Sequence, residues 1–199
     1  MTQKSLRGAK FAMLFFLGSA AISHSQEARN TSYRMPSGER VLRHEIEIPA
    51  PVDSIWASFT TVEGMKTWMV PVAEIELKTG GKLETNYDPS AHIGDSLNIH
   101  NTVLCYIPRQ MFSFRIGLTK NFPPDPRLAS TLFFVLLIEK VGDNSTRVEG
   151  SMLGWGVGEQ WDDVYKKFEW GNGYTFEQLY KRFTVGPVNW EKKVQPTMK

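Results

Sequence analysis

One cysteine, Cys105, stands in 199 residues. An intrachain disulfide and a multi-cysteine metal centre are therefore both excluded. Histidine is scarce as well, with four residues and no ligand spacing among them. A metal site needs three or four converging ligands, so none is expected. Charge of one sign is missing too. Lys and Arg number 23 against 21 Asp and Glu, which leaves no basic footprint for nucleic acid. There is no Gly-x-Ser-x-Gly elbow and no phosphate-binding glycine loop. Gly154, Gly156 and Gly158 imitate a dinucleotide fingerprint, but no parallel βαβ unit follows them. No cofactor is expected. The apolar run at residues 11–17 is too short for a bilayer core of about 30 Å, which needs about 20 residues.

What the chain does have is aromatic mass: 12 Phe and 6 Trp, with 41% hydrophobic and 22% charged residues overall. That is a globular composition with more aromatic area than a small core requires. It favours a thick interior or an apolar cavity.

Residues 1–25 read as an address. Lys4, Arg7 and Lys10 precede the apolar run, and small residues at 23 and 25 precede Gln26. This is the layout of a secretory signal peptide. The mature chain is expected to be secreted or periplasmic, with no stable membrane anchor after cleavage. Residues 26–40 read as a flexible lead-in and 191–199 as a polar tail, around one domain at 41–190.

Within the domain, 41–48 alternates as a strand, with Leu42, His44, Ile46 and Ile48 on one face. Pro49 and Pro51 stop it, and short helices follow at 52–59 and 61–68. Strands are expected at 70–77, 82–87, 97–107, 110–118, 128–141 and 146–153. The loop 120–127 holds three prolines. From 159 to 183, Trp161, Tyr165, Phe168, Asn172, Phe176, Leu179 and Phe183 recur every three or four residues, which is one face of a long helix. An apolar sheet face needs a cover, and this helix is the only element long enough to supply it. The predicted fold is α+β: a curved antiparallel sheet gripping a long C-terminal helix, with an apolar cavity between them.

Three stretches carry a resemblance: 46–68, 106–114, and 146–161 with its helix to Phe183. Together they resemble the START-like helix-grip (SRPBCC) superfamily, in the branch similar to the activator of heat-shock-protein ATPase. The resemblance implies a helix-grip fold with an internal hydrophobic cavity. It also implies three functional classes: binding of a small hydrophobic ligand, protein interaction or chaperone modulation, and a cyclase- or hydrolase-type enzyme using a cavity histidine. Where those relatives carry a bulky aromatic in mid-helix, this chain has Gly171-Asn172-Gly173. Two interior glycines cost about 1 kcal/mol each relative to Ala.

The candidate ligand-binding residues follow from these faces. His44 lies on the inner face of the first strand. His100 shares a strand face with Tyr106 by strict alternation. Phe112, Phe134 and Phe176 supply apolar wall, and Trp68 stands at the mouth. Asn172 interrupts the helix stripe and has two readings. Its amide meets a ligand head group, or the helix kinks there and the amide caps freed carbonyls.

Overall fold

The computed structural model describes residues 27–117 and 131–193. The expected signal peptide at 1–25 and the expected loop at 120–127 lie outside the described residues.

Alternation in β3 (Arg40–Ile48) buries Leu42, His44, Ile46 and Ile48 on one face. Pro49 and Pro51 bring the chain off the strand into α1 (Val52–Thr60). The Pro51 carbonyl accepts from the Ser54 and Ile55 amides to start that helix. Thr61 then caps α2 (Val62–Lys66), its hydroxyl accepting from the Gly64 amide at 2.9 Å. A β-carbon at Gly64 would lie 2.0 Å from the Ala57 carbonyl oxygen, so glycine is what lets the two helices meet at that angle.

Four antiparallel strands follow: β4 (Val72–Ile75), β5 (Lys82–Asn86), β6 (Ile99–Ile107) and β7 (Met111–Arg115). A hairpin of β8 (Phe133–Gly142) and β9 (Ser145–Leu153) completes the sheet. Within the described residues β8 begins five residues later than the expected strand at 128–141. The stretch read as a flexible lead-in is not loose in the structure. β1 (Arg29–Asn30) and β2 (Tyr33–Arg34) both pair with β3 and shelter its edge. The sheet order is β1-β3-β9-β8-β7-β6-β5-β4, with β2 also on β3.

The long helix α3 (Glu159–Thr184) runs 26 residues without a break through Gly171 and Gly173. At 1.5 Å per residue it is about 39 Å long. Glu159 and Asp162 at its start and Lys181 and Arg182 at its end complement its dipole. Trp161, Val164, Phe176 and Leu179 are its buried face. One core cluster joins α1, α2 and α3 to the sheet around Phe112 and Leu136. A second, around Leu42, Leu132, Met152 and Trp161, sits under the first turns of α3. After α3 the chain returns to α2, where Trp190, the first residue of α4 (Trp190–Lys193), donates its indole N–H to the Lys66 carbonyl at 2.6 Å. None of the described helices is long and apolar enough to cross a membrane.

Candidate functional site: an apolar cavity between sheet and helix

Between the sheet and α3 lies a cavity of about 430 Å³. At about 30 Å³ per water molecule that is room for about fourteen waters, in the range of small-molecule sites. Met65, Met69 and Val70 close one end, from α2 and the turn after it. Leu83, Thr85, Ile99 and Asn101 line it from β5 and β6. Phe112, Phe114 and Phe134 form an aromatic floor. The Phe114 and Phe134 rings stack with centroids 5.3 Å apart, and Phe112 meets Phe114 at 5.6 Å. The roof is α3, through Phe168, Gly171, Asn172, Thr175 and Phe176.

Of the eight residues expected at the site, Phe112, Phe134, Asn172 and Phe176 meet on this cavity. Asn172 lies inside the unbroken helix. Its amide nitrogen points at Met152 Sδ, 4.0 Å away, a weak partner. The other four lie elsewhere, each for an identifiable reason.

His44 is on the inner face, but β3 is where α3 lies closest to the sheet. Its ring sits under Gly173, where a β-carbon would touch Nε2 at 3.4 Å, and its Nδ1 is buried without a hydrogen-bond partner. Burial lowers its pKa, against the pull of Glu169.

Trp68 is a packing anchor rather than a mouth residue. It is 1% exposed, edge-on to Phe59, and its indole donates to the Ser58 carbonyl at 3.0 Å.

His100 and Tyr106 fall on opposite faces. β6 carries a β-bulge between Val103 and Cys105, which inserts one residue and inverts the alternation. Ile99, Asn101 and Val103 therefore point inward. His100 faces outward near Glu84, 3.7 Å from its carboxylate. Beyond the bulge Tyr106 turns in, but it packs against Trp56 at 6.4 Å instead of reaching the cavity. The described histidines thus all lie off the cavity lining.

Sequence reasoning missed Asn101 and Thr175, and read Gly171 and Gly173 both as a helix cost and as a way for a ligand to approach. Asn101 alternates with Ile99 and Val103 ahead of the bulge, and the apolar face of those two residues is the signal that could have found it. Gly171 carried its own signal, since a bulky residue at that point of the stripe would occupy the cavity.

Outside the cavity, Glu84 is 1% exposed. It accepts from Asn98 Nδ2 and the Gly94 amide, both at 2.5 Å, and pairs with Lys82 Nζ at 2.7 Å. Burial raises its pKa, but these donors outweigh it and hold the carboxyl down at about 2. This cluster pins the loop after β5 and sits on the outer face of the sheet. Among the described residues no three His, Cys, Asp or Glu side chains converge as a metal site.

A curved antiparallel sheet wrapped on a long C-terminal helix, with a cavity between them, defines a helix-grip domain of the START-like class. Residues 49–184 match the family described as Activator of Hsp90 ATPase homolog 1-like protein, and the chain belongs to it. No curated protein matches the sequence. Solved structures with the same fold include the Aha1 dimer from Colwellia psychrerythraea, at 17% identity, with 73% of this chain and 97% of that one covered and a TM-score of 0.58. CalU16 from Micromonospora echinospora is 18% identical, with coverage of 85% and 90% and a TM-score of 0.56. An HSP90 activator from Plasmodium falciparum is 15% identical, with coverage of 73% and 94% and a TM-score of 0.53.

Proposed function

We propose that this chain is an exported carrier that buries a small hydrophobic ligand, a lipid or an aromatic metabolite, between its sheet and α3. The observation that carries the reading is the cavity. It is walled by Phe, Met, Ile and Leu side chains and keeps only a few polar groups. Each CH₂ moved there from water contributes about 0.8 kcal/mol, and the few polar groups orient a head group. Native mass spectrometry of the protein purified from its own compartment, beside solvent extraction, tests it. A bound apolar species released on denaturation is the expected result. An empty protein that also ignores a panel of fatty acids and aromatic compounds refutes it. N-terminal sequencing of the same sample tests export, with Gln26 expected as the first residue.

A second reading, a protein-interaction module, draws on family membership and one surface feature. Ile107, Met111 and Leu137 are register neighbours across β6, β7 and β8. Ile107 and Leu137 are 49% and 44% exposed. Such a row on an outer sheet face suits an apolar partner surface. Leu137→Glu would abolish that interaction and leave ligand binding intact.

A further inference from the structure

We infer that the cavity takes a neutral apolar molecule carrying a hydrogen-bond-accepting oxygen, received on the sheet wall by the Asn101 amide and the Thr85 hydroxyl. A ketone or ester carbonyl is the simplest such group. The inference rests on the carrier reading and names the chemical class of its ligand.

The two receiving groups come from neighbouring strands. Leu83 and Asn101 are register partners, and so are Thr85 and Ile99. Thr85 and Asn101 are therefore diagonal neighbours, with α-carbons about 7–8 Å apart. Both line the cavity. The orientation of Asn101 is fixed by its partner. Its side-chain oxygen accepts the Gly117 amide N–H at 2.9 Å. A backbone N–H can only donate, so the atom facing it is the amide oxygen. The NH₂ group is left with two donors and no hydrogen bond among the described residues. Thr85 is 6% exposed, and its hydroxyl likewise makes no hydrogen bond among the described residues. On the roof the donors are turned elsewhere. The Thr175 hydroxyl donates to the Gly171 carbonyl at 2.7 Å, and the Asn172 amide nitrogen faces Met152 Sδ.

Unspent donors in an apolar pocket decide what enters it. A hydrocarbon must displace water from them and offers nothing in return, which loses affinity. An alkylammonium brings only donors and leaves the amide unmet. A carbonyl oxygen has two lone pairs, and seated between the two side chains it accepts from both. A carboxylate accepts as well, but its charge must first leave water. The described lining holds no Asp or Glu, and its one cation, Lys167, is already engaged. The wall thus has no spare positive charge to offset that cost. A neutral acceptor takes the same hydrogen bonds without incurring it.

The test is displacement of the neutral dye N-phenyl-1-naphthylamine from the purified chain by 2-acetylnaphthalene, 2-ethylnaphthalene and 2-naphthoate. The three share one ring skeleton and differ in the group attached to it. The ketone is more soluble in water than the hydrocarbon, so apolar partition alone would rank it weaker. It is expected instead to displace the dye at equal or lower concentration, and naphthoate to need at least about tenfold more than the ketone. Asn101→Asp, measured at pH 8, keeps an oxygen for the Gly117 N–H and removes both donors. The ratio of ketone to hydrocarbon affinity should fall at least about tenfold in it. Thr85→Val keeps the shape and removes only the hydroxyl, and the same ratio should fall at least about threefold. If the wild type binds the hydrocarbon more tightly than the ketone, or naphthoate more tightly than either, the inference is overturned and the carrier reading stands. An unchanged ratio in folded Asn101→Asp also overturns it. If Asn101→Asp does not fold, the ratio in Thr85→Val decides. If the wild type binds neither the dye nor any of the three compounds, the carrier reading itself falls.

Discussion

Gly171 is the position where stability and binding are set against each other. It lies inside α3, lines the cavity, and has nothing within 4 Å of where a β-carbon would stand. Gly171→Leu therefore meets no obstacle. Replacing an interior helical glycine by a strong helix former contributes about 0.8 kcal/mol. Full burial of a leucine is worth about 1.5–3 kcal/mol, and the cavity is partly open, so about 1 kcal/mol is a fair share. The sum is about 2 kcal/mol. For a chain of this size each kcal/mol raises the melting temperature by about 2–4 °C, so a rise of about 4–8 °C is expected. The same leucine occupies the space a ligand needs, and dye binding should be lost. Thermal unfolding by circular dichroism and a dye titration on the same sample read both effects. A fall in melting temperature would show that the space is not there. A stabilised variant that still binds with full affinity would show that the ligand sits elsewhere.

The opposite behaviour is expected at Gly150, where a β-carbon would lie 2.5 Å from Phe134 Cζ and 2.6 Å from Phe176 Cζ. Gly150→Ala should destabilise by about 1–3 kcal/mol, as overpacked cores do, and urea unfolding measures it. Glu84 has a folded-state pKa of about 2 against an ordinary 4.5. Its contribution is therefore present above pH 4.5 and lost as pH falls toward 2. Glu84→Gln should be less stable than wild type at pH 7, and the two should converge in acid; a gap that stays constant with pH would refute this. His44 also has a lowered pKa, caused by burial. Stability from its neutral form is present above pH 6.5 and declines as pH falls below that value. His44→Leu removes the buried Nδ1 that lacks a partner. It should flatten the stability profile just below pH 6.5, and an unchanged slope there would show that another group titrates.

Much of the architecture was legible in the sequence because it rests on periodicity. The alternation of β3, the proline stop after Ile48 and the stripe from Trp161 to Phe183 each mark an element by its buried face. The cavity was legible through the aromatic surplus, the sheet-on-helix architecture and the resemblance together. Individual site residues were harder, because a face can be inverted by one inserted residue. Strict alternation places His100 with Tyr106, whereas the bulge between Val103 and Cys105 turns Tyr106 to the face of Asn101 and leaves His100 on the other. The composition of β6 does not announce that bulge. His44 illustrates a different limit. Its face was correctly read, yet whether an inward residue meets a cavity or a helix depends on how closely α3 approaches at that point, a tertiary quantity.

Two glycines account for that local approach. The close backbone neighbours of α3 are β3 and β1. At that edge Gly173 lets the helix settle over the His44 ring, with a β-carbon position already at 3.4 Å. Gly150, directly opposite His44 in the β3–β9 register, leaves room for the Phe134 and Phe176 rings to meet above β9. The helix is thus drawn down onto one side of a curved sheet. On the other side, over β5 to β7, the curvature carries the sheet away from it. A wedge opens there, and side chains from α3 must fill it or leave it. Phe168 and Phe176 fill its two ends, while Gly171 and Asn172 leave the middle open. Gly171 and Gly173 therefore perform separate tasks about half a turn apart: Gly173 brings the helix close, and Gly171 keeps the space that closeness elsewhere would have consumed.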